Sequence, residues 1–476
     1  MMPSFLRLPS VTAVIVAGLA ALTAPGARAS EPAAQILVRP AAGRDASPLR
    51  DAIHASGAHI VGTASGGRTV VQVADAGAVD RTVAALRRTP AVASAGPRLI
   101  ARVAAAPVPD DTGVAARSAE AAGGWAQVQW DLTGPFGIHA PDAWAMEGAA
   151  GHQPGAGVTV GVIDTGLAYA DRPPFRRSPD ILPGHVVRGY DLVDNDPFPN
   201  DRNGHGTFVA STIIAAENNN YGMVGIAWGA KVMPVRALNG DGVGTAARIA
   251  RGMRWAVDHG ANVINVSIEL VDRITAQPQT MTVDPQIREA VRYAAAHDVL
   301  VVAAAGNSAS PDVPSTRLGS DILYVGGSTE HGCLGDYSNF GHGVDLVAPG
   351  GGGDSQIAGD PHCQPDAARG RNVEQVSFKR PSIGRFRIIG DRTGRPGLAG
   401  TSMAAPHASA VAALVLASGV LGAHPTSAQL QRRIVSTAQS LGPGAPARYY
   451  GAGLLDAAAA LRGTKSPPAP APTSSG

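Results

Sequence analysis

Gly400-Thr401-Ser402-Met403-Ala404-Ala405-Pro406-His407 carries a glycine turn into a long apolar run that reads as a helix over 402–418. A serine on a sharp turn among small neighbours is open to a substrate. The first N–H groups of the helix behind it, which have no intrahelical acceptor, can stabilise negative charge developing there. The same residues also describe a serine that merely caps a buried helix. What decides between the two is whether an aspartate and a histidine stand upstream in settings suited to proton transfer.

Both do. Asp164 closes the apolar run 158–163 and is followed by Thr165-Gly166, which puts a carboxylate at the carboxyl end of a strand. His205 lies in Asn203-Gly204-His205-Gly206-Thr207, where glycines clear space around the ring and a helix follows. An imidazole takes a serine proton near neutral pH only when it is neutral, correctly oriented and steadied once charged, and a buried carboxylate supplies the last two conditions. Taken singly, Asp164 is a turn former, His205 a helix cap and Ser402 a helix start. Their joint occurrence makes Asp164, His205 and Ser402 the expected catalytic residues. His407 is assigned a structural role. A second Asp-Thr-Gly, at 111–113, raises an aspartic dyad as a rival, but its Pro-flanked setting "APVPDDTGVAA" offers no strand of the kind such a dyad needs.

Around these residues, apolar β-branched runs alternate with helical stretches, the pattern of a parallel sheet covered on both faces. Strands are expected at 158–163, 231–238, 262–268, 299–304, 322–325 and 344–347. Helices are expected at 207–216, 245–259, 285–297, 402–418, 427–437 and 455–461, with a short one around 141–146. The fold class is α/β: a doubly wound, mostly parallel sheet preceded by a small α/β sandwich. Active groups in such sheets sit at the carboxyl ends of strands.

The motifs DTG, HGT and GTSMAAPH, in the order Asp, His, Ser, resemble the signatures of the subtilisin-like serine proteases, and the resemblance covers about residues 127–461. It implies an oxyanion hole made by the Asn307 amide and the Ser402 N–H. It further implies that substrate lies as an added strand between 238–244 ("LNGDGVG") and 265–270 ("NVSIEL"), with Gly242, Gly244, Ser267, Glu269 and Gly306 as substrate-binding residues. Members of the family usually place an apolar residue and two glycines after the serine equivalent to Ser267, whereas this chain has Ile268, Glu269 and Leu270. A Glu269 carboxylate inside the pocket would favour basic substrate residues. A side chain turned to solvent would leave selectivity broad and apolar, and this is the expected outcome because long carboxylates reach water wherever a surface allows it. No cofactor is required for the chemistry. "AAENNNYGMVGIAW" resembles the family's calcium-wrapping loop, with Asn219 and Asp180 as metal residues, although a plain polar loop accounts for the same letters.

Outward from the catalytic region, residues 1–29 read as a signal peptide: Arg7, an uncharged apolar run at 11–22, and Ala27-Arg28-Ala29 before the cut. The apolar run is too short for a comfortable membrane span, and 403–422 is read as a buried core helix because Pro406 and His407 interrupt it. Residues 30–103 show strands at 36–39, 69–73 and 92–102 and helices at 49–55 and 79–87. Their order resembles the family's inhibitory propeptide domains, with an unrelated small binding domain as the alternative. Residues 104–124 read as an exposed linker with a processing site, 125–464 as the catalytic domain and 465–476 as a disordered tail; 355–396 has no clear pattern.

The chain has 476 residues and a net charge of only +2, with no basic footprint for nucleic acid. Cys333 and Cys363 are its two cysteines, and export would let them persist as a disulfide; two unpaired buried thiols are the alternative. The expectation is therefore a secreted (extracellular or periplasmic), monomeric serine endopeptidase without a membrane anchor, acting on protein or peptide substrates and matured by removal of a propeptide that serves as intramolecular inhibitor. A catalytically silent peptide-binding relative and a serine hydrolase of non-peptide esters or amides are the alternatives.

Overall fold

The structure is a computed structural model that describes residues 35–41, 46–64, 67–74, 78–97, 109–117, 121–271, 278–279, 284–311, 321–366, 368–442 and 445–468. The expected signal peptide, the stretch 98–108 and the end of the tail from 469 lie outside these residues. The chain divides into two compact units, 1–104 and 105–476.

The first unit runs β1 (Gln35–Pro40), α1 (Ala46–Ala55), β2 (His59–Ala64), β3 (Arg68–Gln72), α2 (Val79–Arg87) and β4 (Val92–Pro97). Its antiparallel sheet has the order β2-β3-β1-β4. Ile36 and Val38 alternate into a core with Ile53, Val71 and Leu86, the period-two and helical patterns meeting on one face. The hairpin partner β2 escapes the sequence pattern. Gly62 sits at a register shift, and Ile60 and Val61 are exposed, so no buried alternation marks the strand.

The second unit is built on a seven-stranded sheet. It contains α3 (Ala140–Ala149), β5 (Thr159–Asp164), β6 (Tyr190–Asp191), α4 (His205–Ile214), β7 (Lys231–Arg236), α5 (Ala246–Asp258) and β8 (Val263–Val266). There follow α6 (Pro285–Ala296), β9 (Leu300–Ala304), β10 (Ile322–Ser328), β11 (Leu346–Pro349), a hairpin of β12 (Val376–Ser377) and β13 (Arg387–Ile388), α7 (Thr401–Ala417), α8 (Ser427–Ser436) and α9 (Ala457–Arg462). The strand order is β11-β10-β9-β8-β5-β7-β6, and every pairing in it is parallel. Chain order reverses around β5, so the crevice at its carboxyl end is the place where such a fold takes ligands.

Both faces are covered. On one, α3, α4, α7, α8 and α9 close a core with Val160, Val162 and Val302. On the other, α5 and α6 pack over Ile163, Val235, Ile264 and Val301. Helix starts are capped by Thr245, Asp284 and Asp456, and by a Thr426–Gln429 capping box, signals local enough to be legible in the sequence. The two-residue edge strand β6 was not, because a long-range ion pair marks it: Asp191 Oδ2 meets buried Arg236 Nη1 at 2.6 Å.

Helix α7 is buried on all sides across 403–415, and no helix among the described residues is long and apolar enough to cross a membrane. Pro406 removes the N–H that would bond the Ser402 carbonyl, and the Ser267 hydroxyl donates to that carbonyl instead, at 2.9 Å. Cys333 and Cys363 form a disulfide, tethering the start of the irregular insertion to the β10–β11 connection. Further along the insertion Val373, Val376 and Phe378 are buried, and β12 packs against α4.

Two expectations about the borders need correction. Asp111 and Thr112 are fully buried in the second unit, so the exposed-linker reading of 104–124 does not hold there. Asp111 is retained by backbone N–H groups of Asn218 and Asn219, at 2.9 and 3.3 Å, which no local pattern announces. At the other end, Gln439 Nε2 donates to Pro467 O at 3.0 Å, so the start of the proline-rich tail is held to the body.

Candidate active site

Asp164 ends β5 fully buried, where burial of a carboxylate demands partners. Its Oδ1 accepts the Thr165 N–H at 2.7 Å and His205 Nδ1 at 2.8 Å, and Oδ2 lies 3.0 Å from the same nitrogen. A carboxylate can only accept, so Nδ1 carries the proton and Nε2 of the neutral ring is left as the acceptor. Burial pulls the His205 pKa down, but the charge and hydrogen bond of Asp164 and the charge of Asp201 outweigh it and hold the ring above its ordinary value of 6.5.

The histidine is fixed by a network that the sequence reading missed. Buried Asp201 accepts Thr165 Oγ1, Asn203 N and Gly204 N through Oδ1, and Thr207 N and Oγ1 through Oδ2, all within 2.7–2.9 Å. Thr165 Oγ1 in turn accepts the Gly206 N–H at 2.9 Å. One carboxylate therefore caps α4 and ties it to the residue beside Asp164. The glycines around the ring are required by contact. A Cβ on Gly204, whose φ is 105°, would overlap Phe378 O, and one on Gly206 would overlap Gly166 O. The insertion itself braces this turn, since Ser377 Oγ donates to Gly204 O at 2.6 Å.

Ser402 stands in the first turn of α7, which packs against α4. Its hydroxyl donates to Ser267 O at 3.2 Å, and no hydrogen bond joins it to His205 among the described residues. Asn307 is exposed in the cleft, and its Oδ1 accepts both the N–H and the hydroxyl of Thr401, at 2.8 and 3.0 Å. Because a backbone N–H can only donate, it fixes the orientation of the amide and leaves Nδ2 as the outward donor. Thr401 Oγ1 also accepts Gly306 N at 3.1 Å, which binds the two loops together. His407 is buried with Nδ1 on Met403 O at 2.8 Å and Nε2 on Asp131 Oδ2 at 3.0 Å, a fully satisfied structural ring.

Of the expected substrate-binding residues, Ser267 and Gly306 lie directly against the Ser402 and Thr401 region, and Gly242 and Gly244 lie in the segment after β7. Glu269 is not free in solvent as expected but is held while partly exposed: its Oε1 accepts Asn307 N at 3.0 Å and Ser308 Oγ at 2.8 Å.

Asn219 and Asp180 are also brought together, with Asn219 Nδ2 donating to Asp180 Oδ1 at 2.9 Å and Met223 N to Oδ2 at 3.0 Å. Burial pushes Asp180 up to about 8 and Asp111, beside the same loop, up to about 6. The side-chain oxygens of Asn219 and Asn220 are buried without a hydrogen-bond partner. Among the described residues no cluster of three or more His, Cys, Asp or Glu side chains forms a metal centre. Carboxylates and orphaned amide oxygens are nonetheless the donor chemistry that a hard cation takes.

A parallel doubly wound sheet that presents a carboxylate-held imidazole and a serine at neighbouring helix starts fits a class, the serine hydrolases. Residues 155–453 match the model of the subtilase family, and the chain belongs to that family. It is 33% identical over 344 residues to a thermophilic serine proteinase of Bacillus sp. (strain AK1), covering 72% of this chain and 68% of that one. It is 31% identical over 308 residues to subtilisin BL of Lederbergia lenta, covering 65% of this chain and 92% of the relative. Among solved structures, a protease from Pseudoalteromonas arctica PAMC 21717 matches with a TM-score of 0.55 and 26% identity, over 75% of this chain and 99% of that one.

Proposed function

We propose that this subtilase is a secreted endopeptidase in which Asp164, His205 and Ser402 form the catalytic triad, matured by its own removal of the first unit. The observation that carries the reading is the 2.8 Å hydrogen bond from His205 Nδ1 to buried Asp164 at the switch point of the sheet. In the proposed reaction the Ser402 hydroxyl rotates from Ser267 O to His205 Nε2, gives up its proton and attacks the peptide carbonyl. The oxyanion takes hydrogen bonds from Asn307 Nδ2 and Ser402 N. His205 then protonates the leaving amine, and water enters by the same route to release the acyl group from Ser402. The full chain should degrade casein, and a serine-directed phosphonate should stop it. Turnover of small esters without casein cleavage would favour the non-peptide hydrolase.

The acid limb of kcat/KM should lie above about pH 6.5, because the base works only when neutral and Asp164 raises the pH at which His205 loses its proton. Activity accordingly rises with pH through that point. A rate profile with its optimum near pH 4 would contradict an imidazole base.

A processing site upstream of Pro109 is supported by the burial of Asp111 and Thr112 in the second unit, where the 218–219 backbone holds Asp111. The released first unit is the proposed intramolecular inhibitor. A structural calcium is proposed at Asp180 and Asn219, where it would supply the positive charge that the buried carboxylate lacks. Chelation with EDTA should lower the thermal midpoint and added calcium should restore it, while Asp180→Asn should make the midpoint indifferent to both. An EDTA-insensitive midpoint in the wild type would exclude the site.

A further inference from the structure

Glu269 lies two residues beyond Ser267, whose carbonyl accepts the Ser402 hydroxyl, so its backbone is close along the chain to the partner of the proposed nucleophile. Its Oε1 is held by Asn307 N–H and by Ser308 Oγ, and a Cβ built on Gly306 would come within 3.0 Å of it. The side chain therefore lies over Gly306, the residue before the proposed oxyanion amide.

The turn beneath is stiff. Asn339 Oδ1 accepts Ser308 N and Ser310 N, its Nδ2 donates to Ala305 O, and its own N–H donates to Gly306 O, all at 3.0 Å. The carboxylate is thus fixed through one oxygen on a rigid support while the residue remains partly exposed. Among the described residues Oε2 has no hydrogen bond and Glu269 has no Lys, Arg or His ion-pair partner. A carboxylate with one oxygen fixed and the other open is a ready acceptor for a cation that brings its own donors.

The substrate supplies one. In the proposed pose the scissile carbonyl oxygen lies at Asn307 Nδ2, and the side chain of that same substrate residue is taken toward Gly306, over which Glu269 lies. We propose that Glu269 makes this enzyme select arginine or lysine immediately before the bond it cuts. The inference rests on the proposed triad and oxyanion hole.

The test compares peptide p-nitroanilides that differ only in that residue: Arg, Lys, Leu, Phe and Glu. For the wild type, kcat/KM on Arg or Lys should exceed that on Leu by about 10- to 150-fold, the range of a hydrogen bond to a charged group. Glu269→Gln keeps the shape and the acceptor oxygen but removes the charge, and should bring the Arg-to-Leu ratio close to 1. Glu269→Lys should move the preference to Glu. These ratios are taken within one enzyme preparation, so a partly unfolded variant does not distort them. A wild type that prefers Leu or Phe, or a profile unchanged by Glu269→Gln, overturns the inference and leaves the peptidase reading standing. A wild type that cleaves none of the series and is not labelled at Ser402 by a phosphonate overturns both.

Discussion

Ser402→Ala should lower turnover about 10⁶-fold, the loss that removal of the nucleophile causes in subtilisin. The reason is that the remaining groups act as a unit. Without the hydroxyl, His205 has no proton to take, and only the donors around the oxyanion and the binding of the peptide remain. In the structure that hydroxyl donates to Ser267 O alone, so its removal deletes one part-buried hydrogen bond and should leave the packing of α7 unchanged. A stable, folded and inactive protein is the expected result. The same substitution should leave the chain at full length in a purified, protease-free preparation, because the first unit is proposed to be removed by the same nucleophile. Intact-mass measurement decides this: a variant that matures to the wild-type mass would show that another protease does the processing.

Asp164→Asn should cost about 10⁴ in kcat with the fold retained, as the equivalent change does in trypsin-like enzymes. The geometry supplies the cause. Asp164 Oδ1 and Oδ2 both face His205 Nδ1, and an amide put in that place would turn its NH₂ toward the ring, because the Thr165 N–H at 2.7 Å already demands the carbonyl oxygen. Nδ1 then becomes the acceptor, the proton moves to Nε2, and the ring can no longer take the proton of Ser402. Steady-state kinetics on a single peptide should show kcat reduced with KM nearly unchanged, since Asp164 is buried and touches no substrate. A loss confined to KM would mean that Asp164 acts on binding and would refute the proton-transfer assignment.

The chain itself displayed the catalytic elements because the letters that encode them are local. A run of β-branched residues ending in Asp164, glycines on either side of His205 and a glycine turn before Ser402 each describe a backbone conformation that the next few residues impose. The alternation of strands and helices and the buried character of α7 were legible for the same reason. Element borders moved by a few residues, and His205 proved to be inside the helix it was expected to precede.

Everything that orients those elements was decided in three dimensions. Asp201 fixes His205 through Thr165, Thr401 sets the Asn307 amide from 94 residues away, Asn339 supports the 305–310 turn, and Ser267 replaces the bond that Pro406 deletes from 135 residues away. Asp111 read as part of a linker because its letters are those of a turn, and only the loop at 218–219, more than 100 residues on, gives it a buried place. Glu269 was expected in water because a long carboxylate escapes where it can. The folded chain brings the Asn307 N–H and the Ser308 hydroxyl to one of its oxygens, which holds the side chain in place while it stays partly exposed. Sequence determines what depends on neighbours along the chain, namely backbone conformation and which face is apolar. Hydrogen-bond partners distant in sequence exist only once the sheet has closed, and they decide where each side chain of the site points.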